Sequence, residues 1–388
     1  MKRSLFLASL LASVSFAAPL GGQTAGPQFL VSANDGKAVL ADGVTVVPSP
    51  IPADTVSIFD ISVTPPKLVV ELQAPTSVVG PPESVAIAPD QSIALVTGAL
   101  KLDPADRTKT IPDDVVTVID LGASPPRITA TLHAGRQASG VSINRAGTMA
   151  LVANRAEGSV SVFTIAGKTV TPAGKVDLGA PESGPSHAAF TPDGRMALVS
   201  RNNDHIISVL SIEGGKVTYA KRDIMAGLKP YGIEITPAGD VALAANVGAG
   251  PTGSADTIAV IDLKANPPRA VNQVSAGPIL EGISIAPSGG HVAVTVMNGS
   301  NLAKTSPFYN DFAILKVFSL RGTTLAPVAE ARLGHWCQGA AWTADSRKLF
   351  VQCMVEKEIQ MFDFNGQTLR AAGTLKVNGG PAGIRTAK

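Results

Sequence analysis

Short apolar runs built from Val, Ile, Ala and Leu recur along the chain, each bounded by Gly, Pro, Asp or Asn. The best-marked copy reads Ser186–Phe190, then the turn Thr191-Pro192-Asp193-Gly194, then Met196–Ser200 and Ile206–Ile212, with a fainter run over Val217–Asp223. Apolar runs of strand length between turn residues predict buried β-strands, and no stretch carries the 3.6-residue spacing of a long amphipathic helix. The four runs form a unit of strands A to D, numbered from the inside out. Equivalent turn positions fall at Pro89, Arg145, Pro192, Pro237, Pro287 and Ala344, spaced 45 to 57 residues apart. That period fits four-stranded propeller blades with variable loops, and it is too long for leucine-rich or ankyrin repeats. The words Val63-Thr64-Pro65-Pro66, Ala123-Ser124-Pro125-Pro126 and Ala265-Asn266-Pro267-Pro268 recur between strands C and D. Proline has no N–H to give to a sheet ladder, so these words are turns.

The two ends of the pattern complete each other. Phe29–Asn34 matches strand B with no strand A before it, and Gly380–Thr386 matches strand A with no strand B after it. Pairing the last strand into the first blade predicts an all-β, seven-bladed propeller of four-stranded antiparallel blades, and it removes the open edges that would template aggregation. The expected boundaries are a signal peptide over 1–18, a flexible lead-in over 19–28 and the propeller over 29–388.

The signal-peptide reading rests on Lys2 and Arg3, the apolar run Leu5–Phe16, and Ala17-Ala18 before Pro19. The run falls short of the about 20 apolar residues of a membrane span, so a periplasmic or secreted protein without a membrane span is expected. The formal net charge of +2 equals the charge of Lys2 and Arg3, which leaves the mature chain neutral. No cluster of basic residues marks a nucleic-acid partner. Hydrophobic residues make up 45% and charged residues 16% of the chain, which suits strands buried on both faces.

Within this frame the words Pro230-Tyr231-Gly232-Ile233-Glu234-Ile235-Thr236-Pro237 with Ala244-Ala245-Asn246, and Leu151-Val152-Ala153-Asn154 with Val160-Ser161-Val162-Phe163, resemble the YVTN-type, lactonase-like seven-bladed propellers. The resemblance spans the mature chain. It implies the fold, and for activity it implies a lactonase-like hydrolase or cycloisomerase that uses His, Arg and Glu at the channel mouth. The motif residues themselves read as structural, with Pro-Asp-Gly shaping the A-to-B turn and Asn accepting a left-handed backbone at the end of strand B.

Strand A starts and B-to-C loops share one rim. Long loops are expected there over 34–54, 98–114, 247–256 and 297–311, two on each side of the ring with a cleft between them. The strand A starts offer Glu83, Ser139, His187, Tyr231, Glu281, Gln338 and Ala382 to the channel, and His187 stands where three copies have Gly232, Gly282 and Gly339. Strand B ends add Asn154, Arg155, Arg201, Asn202, Asn246 and Asn298. Two functions follow. In the first, the rim and channel mouth bind a small molecule, glycan or protein through Tyr231, Gln338, Asn154, Asn202, Asn246 and Asn298. In the second, His187, Arg201, Glu83 and Glu281 hold a carboxylate and manage a proton during hydrolysis or isomerisation of a lactone or cyclic acid. No cofactor is expected: Glu83 or Glu281 with Asn154 and Asn246 imitates a calcium set, but Asn at the end of strand B is part of the repeat. The five His residues show no zinc or copper spacing, so no metal site is assigned. Cys337 and Cys353, the only cysteines, lie symmetrically about the A-to-B turn of the last blade and predict a disulfide.

Overall fold

The computed structural model describes residues 27–387. The signal-peptide reading, and the lead-in up to residue 26, lie outside the described residues. Seven four-stranded antiparallel sheets follow one another along the chain, and no α-helix occurs among the described residues. The copy used to define the repeat folds as read, into strands Pro185–Phe190, Met196–Arg201, Ile206–Glu213 and Lys216–Met225. Its turn is built as its residues require: Thr191 Oγ1 and the Arg195 N–H both donate to Asp193 Oδ1, and Gly194 takes a positive φ of 69°.

The chain closes on itself as expected. Gly380–Thr386 forms the inner strand of the first blade and pairs antiparallel with Phe29–Asp35, Ser32 opposite Ile384. Inner and second strands carry side chains that are buried on both faces, because each sheet is packed between two neighbours. One cluster joins Leu243 and Val260 of blade five to Ile283 and Val294 of blade six. Polar clamps reinforce the same seams. Ser200 Oγ donates to the Tyr231 carbonyl of the next blade (2.5 Å), Gln352 Nε2 to the Gly383 carbonyl (2.9 Å), and the Thr97 and Thr295 hydroxyls to the carbonyls of Ser139 and Gln338.

Two local expectations change. Asn154 and Asn246 stay in extended strand backbone and do not adopt a positive φ. Their amides are pins instead: Asn154 Nδ2 donates to Ser159 Oγ and Ser161 Oγ, and Asn246 Nδ2 to the Ala226 carbonyl and Thr257 Oγ1. The left-handed residue lies just before strand A, at Gln137, Gly184, Lys229, Ile279 and Trp336 in five successive blades. The second change concerns the rim. The first long loop contains a hairpin, Val39–Ala41 with Val44–Val46, whose turn reaches the loop of blade six, where the Lys304 N–H donates to Asp42 Oδ1 (3.0 Å). That contact bridges the expected cleft on the side of blades one and six. A separate cavity of about 630 Å³ lies between the adjacent loops of blades one and two, beside Lys37, Lys101 and Arg107.

The disulfide forms between Cys337 and Cys353, which are directly opposed in strands A and B of the last blade. It occupies the cross-strand position that Ala138 and Asn154 fill in blade three. Glu356 lies near both sulfurs, but the sulfurs are bonded to each other.

Candidate functional site: one channel with two different ends

Each inner strand runs through six positions that the strand registers align from blade to blade. Position two holds Glu83, Ser139, Ser186, Tyr231, Glu281, Gln338 and Ala382. Ser186, not His187, belongs to this ring, because Pro185 pairs with Arg201 and Ala188 with Val199 across a bulge. His187 sits at position three, one layer deeper, where the other copies carry Gly or Ser84.

The upper end, on the side of the long loops, is shut. The connection from blade one to blade two, residues 74–82, crosses it as a strap. Val78 is 3% exposed and packs with Ala38, Met354, Ala382 and Trp336. Its N–H donates to Asp35 Oδ2 (2.7 Å), and Gln338 Nε2 donates to its carbonyl (3.4 Å). Pro82 lies against Gly282 and Gly339, and Gly80 against the Ser139 hydroxyl, so one short segment touches inner strands of three other blades. A Cβ at Gly282 would meet the Gln338 carbonyl, one at Gly339 the Ile384 side chain at 2.7 Å, and one at Gly80 the Ser139 hydroxyl at 2.5 Å, so the close approach depends on glycine at all three. Lys37 anchors the strap from below: its ammonium bonds Asp54 Oδ2 (2.7 Å), Asp35 Oδ1 (3.3 Å) and the Thr76 carbonyl. Burial pushes the Asp35 carboxyl up, while Lys37 pulls it down.

Beneath the strap lies a polar chamber. Gln338 Nε2 donates to Glu281 Oε1 (3.2 Å), and Arg155 lies over the Tyr231 ring (5.3 Å) with Nη1 donating to Ser186 Oγ (2.6 Å). Glu83 reaches across the channel from blade two until its carboxyl rests against Gly232 of blade five. Burial pushes the Glu83 carboxyl up to about 8, with Arg385 opposing and Glu234 and Glu281 assisting. It pushes Glu281 up to about 7, with Arg155 and the Gln338 amide opposing. Burial also raises the Tyr231 hydroxyl.

Of the side chains expected at the mouth, the structure thus brings Glu83, Glu281, Tyr231 and Gln338 together. Arg155 joins them from the end of strand B, whereas Arg201, Asn202 and Asn298 are turned elsewhere. Arg201 pairs with Asp204 and donates to Ser208 Oγ (3.4 Å), between strands B and C. Asn202 Nδ2 donates to the Lys229 and Pro230 carbonyls, tying blade four to blade five. Asn298 lies two residues past the end of its strand, His291–Val296, and holds the Phe312 carbonyl of its own loop (3.0 Å). Val296 fills the strand-end slot that Asn154 and Asn246 fill elsewhere.

The lower end is open. Between the A-to-B turns a cavity of about 380 Å³ enters the channel, and His187 forms part of its wall. His187 is 2% exposed, and the Ile233 N–H approaches its Nδ1 at 3.4 Å. Position six of the inner strands rings the cavity with Ile87, Ile143, Phe190, Ile235 and Ile285. Position five lies under this collar. Five blades carry Ala or Ser there (Ala86, Ser142, Ala189, Ser284, Ala341), whereas blade five has Glu234 and the closing strand has Arg385. Arg385 Nη1 donates to Glu234 Oε1 (2.8 Å) across the channel, and the Ile285 N–H donates to Glu234 Oε2 (3.0 Å). These two residues were missed in the sequence reading, although opposite charges at an aligned position that is otherwise small were a visible signal.

The sequence profile described as "Lactonase, 7-bladed beta-propeller" matches residues 91–229. A comparison with curated proteins finds no match. Among solved structures, a Bacteroides fragilis protein provisionally named a 6-phosphogluconolactonase superposes with a TM-score of 0.71 at 13% identity, covering 95% of this chain and 99% of that one. The periplasmic gluconolactonase PpgL of Pseudomonas aeruginosa gives 0.68 at 14%, covering 92% and 98%. The hydrazine synthase of Kuenenia stuttgartiensis gives 0.62 at 18%, covering 81% and 91%, so one scaffold serves unlike chemistries. The chain therefore has the fold of a seven-bladed β-propeller over its described length, and over residues 91–229 its sequence matches the lactonase propeller profile.

Proposed function

We propose that this chain is an exported propeller that binds a small molecule in the lower cavity of its channel. One observation carries the reading: the strap closes the upper mouth, while the lower mouth opens into about 380 Å³ where His187 and the Arg385–Glu234 pair meet an apolar collar. A concave, largely apolar site with a few convergent polar groups is the usual form of a small-molecule site. Export is supported by the leader-like residues 1–18 and by the Cys337–Cys353 bond, which belongs in an oxidising compartment.

A second reading, lactone hydrolysis in the same cavity, is favoured by the family match over residues 91–229. His187 is then the general base and Arg385 the group that steadies the developing negative charge, in place of Arg201. The test is a panel of lactones offered to the wild type and to His187→Ala, with a chelator control for calcium, alongside calorimetric binding to the same proteins. Turnover lost in His187→Ala and indifferent to chelator supports hydrolysis. Binding without turnover supports the first reading, and neither binding nor turnover in the wild type removes both.

A further inference from the structure

We infer that the ligand of the lower cavity is a small amphipathic carboxylate, with its anionic head at Arg385 and its aliphatic body in the collar formed by Ile87, Ile143, Phe190, Ile235 and Ile285. This inference rests on the proposed use of that cavity.

Three features of the wall carry it. The first is the distribution of charge. A guanidinium has five N–H donors, and Glu234 meets Arg385 through one oxygen only, its other oxygen being taken by the Ile285 N–H. The contact is therefore a single one and not the two-bond fork that Arg makes with a carboxylate it holds by itself. Arg385 is 12% exposed at its side chain, towards the cavity side of a pair whose Glu234 is 5% exposed. Glu83, the other carboxyl felt by Arg385, is held protonated at neutral pH by its burial and adds no competing charge. Arg145 stands on the mouth where four other turns have proline, exposed and without a carboxylate partner among the described residues. Among the residues that line the cavity two arginines thus face one ionised carboxylate, an excess that favours an anionic group inside it.

The second feature is the collar. It is aliphatic or aromatic at five of the seven inner strands, and the proline turns Pro89, Pro192, Pro237 and Pro287 extend it outward. A polyhydroxylated sugar acid entering here would lose the hydration of its hydroxyls against side chains that return no hydrogen bond. An alkyl chain gains from the same surface.

The third feature is depth. Glu234 and Arg385 lie one residue deeper than the apolar layer, so a ligand with both characters must enter head first. The order from solvent is Arg145 at the rim, the apolar collar, then Arg385. A medium-chain carboxylate matches that order, and a neutral lactone of equal length matches only the collar.

The test is calorimetric titration of the purified protein with hexanoate, octanoate, γ-octalactone and gluconate. We expect octanoate to bind about tenfold more tightly than hexanoate, since two further methylenes are buried. We expect it to bind at least tenfold more tightly than γ-octalactone or gluconate. Arg385→Gln should bring octanoate to the level of the lactone and leave the lactone unchanged, and Arg385→Lys should restore part of the difference. Because Arg385 also lies in the closing strand, each variant is checked by thermal melting, and Arg145→Gln, which is exposed, gives an independent reading: octanoate weakened a few-fold, and less so at high salt. Ile143→Asp should abolish octanoate binding. Gluconate binding as tightly as octanoate, or octanoate indifferent to both Arg variants, overturns the inference. If lactone or gluconate binds in a manner sensitive to Ile143→Asp while octanoate does not, the ligand class falls and the cavity stands. If no probe binds, the ligand class falls, and the broader panel described above decides the cavity.

Discussion

The two mouths of the central channel are made by the same seven inner strands, yet they are opposite in character. Above, position two supplies Glu83, Glu281 and Gln338, buried beneath the strap of residues 74–82, and a half-buried Tyr231. Below, position six supplies isoleucines and a phenylalanine to an open cavity. In the repeat these positions are equivalent along each strand and differ only in which residue occupies them. A propeller therefore specifies its ends independently: four residues separate a proton-rich, closed chamber from an apolar, accessible one. The upper chamber concentrates ionisable groups, and the lower one has the access that a ligand needs.

The largest effect expected on this contrast comes from Lys37. Its ammonium is the only cation bonded to the buried Asp35 and the half-buried Asp54 among the described residues, and Lys37→Met leaves both carboxylates without it. Removing one side of a buried ion cluster costs roughly 3–5 kcal/mol. We expect a fall in unfolding free energy of that size in denaturant melts, with hydrogen-exchange protection lost first at Val78 and Gly80. Octanoate binding below should survive, if the ends are independent. A strap that keeps its protection in this variant contradicts the anchoring role.

Next in size is the disulfide. Cys337 immediately precedes Gln338 of the upper ring, and the bond closes a loop of 16 residues. Constraining an unfolded loop of that length is worth about 3 kcal/mol. The double variant Cys337→Ala/Cys353→Ala should melt several degrees lower, and reductant should lower the wild type to meet it. Equal melting with and without reductant would show the bond to be absent or without effect.

The pH profile sharpens the contrast further. Glu83 and Glu281 keep their protons to about pH 8 and about pH 7 when folded, whereas an ordinary Glu releases its proton near 4.5. The folded state thus binds more protons across this window. Stability from these groups is complete below pH 4.5 and is lost as the pH rises through 7 and then 8. The slope is at most about 1.4 kcal/mol per pH unit for each group. Glu83→Gln should match the wild type near pH 4.5 and exceed it at pH 8.5. A wild-type unfolding free energy that is level from pH 5 to 8.5 would mean that the chamber is wet.

Much of the frame was legible in the chain itself. Pro-Asp-Gly turns and alternating apolar runs placed the blades, the unmatched ends located the closing strand, and the symmetry of Cys337 and Cys353 about a turn gave the disulfide. The site was less legible, for three physical reasons. A bulge early in the inner strands shifts the count by one, which moved His187 out of the ring that Ser186 occupies. The strap, Ala-Pro-Thr-Ser-Val-Val-Gly-Pro-Pro, has no periodicity to distinguish a covering segment from a surface loop. The Glu234–Arg385 pair joins residues 151 apart, and only the ring closure brings them face to face. Asn at strand ends misled in another way: its amide serves the sheet, so its recurrence near the rim carried no information about a ligand.

The smallest expected effect, and the most local, falls at Gly232. Its backbone is ordinary, with no positive φ, so alanine is excluded there only by what its methyl group would meet. That neighbour is the Glu83 carboxyl, with Oε1 2.7 Å and Cδ 3.0 Å from the Cβ position. Both atoms belong to the far end of a flexible side chain, which can withdraw. Gly232→Ala should therefore cost only about 1–2 kcal/mol, the usual penalty for overfilling by one carbon. The penalty should vanish when Glu83→Ala is added, because the collision and its partner are then gone together, and a double-mutant cycle reads that coupling directly. If the two changes simply add, Glu83 does not lie across the channel against blade five. The polar chamber then ends short of the His187 layer, and the separation between the two ends is wider than drawn here.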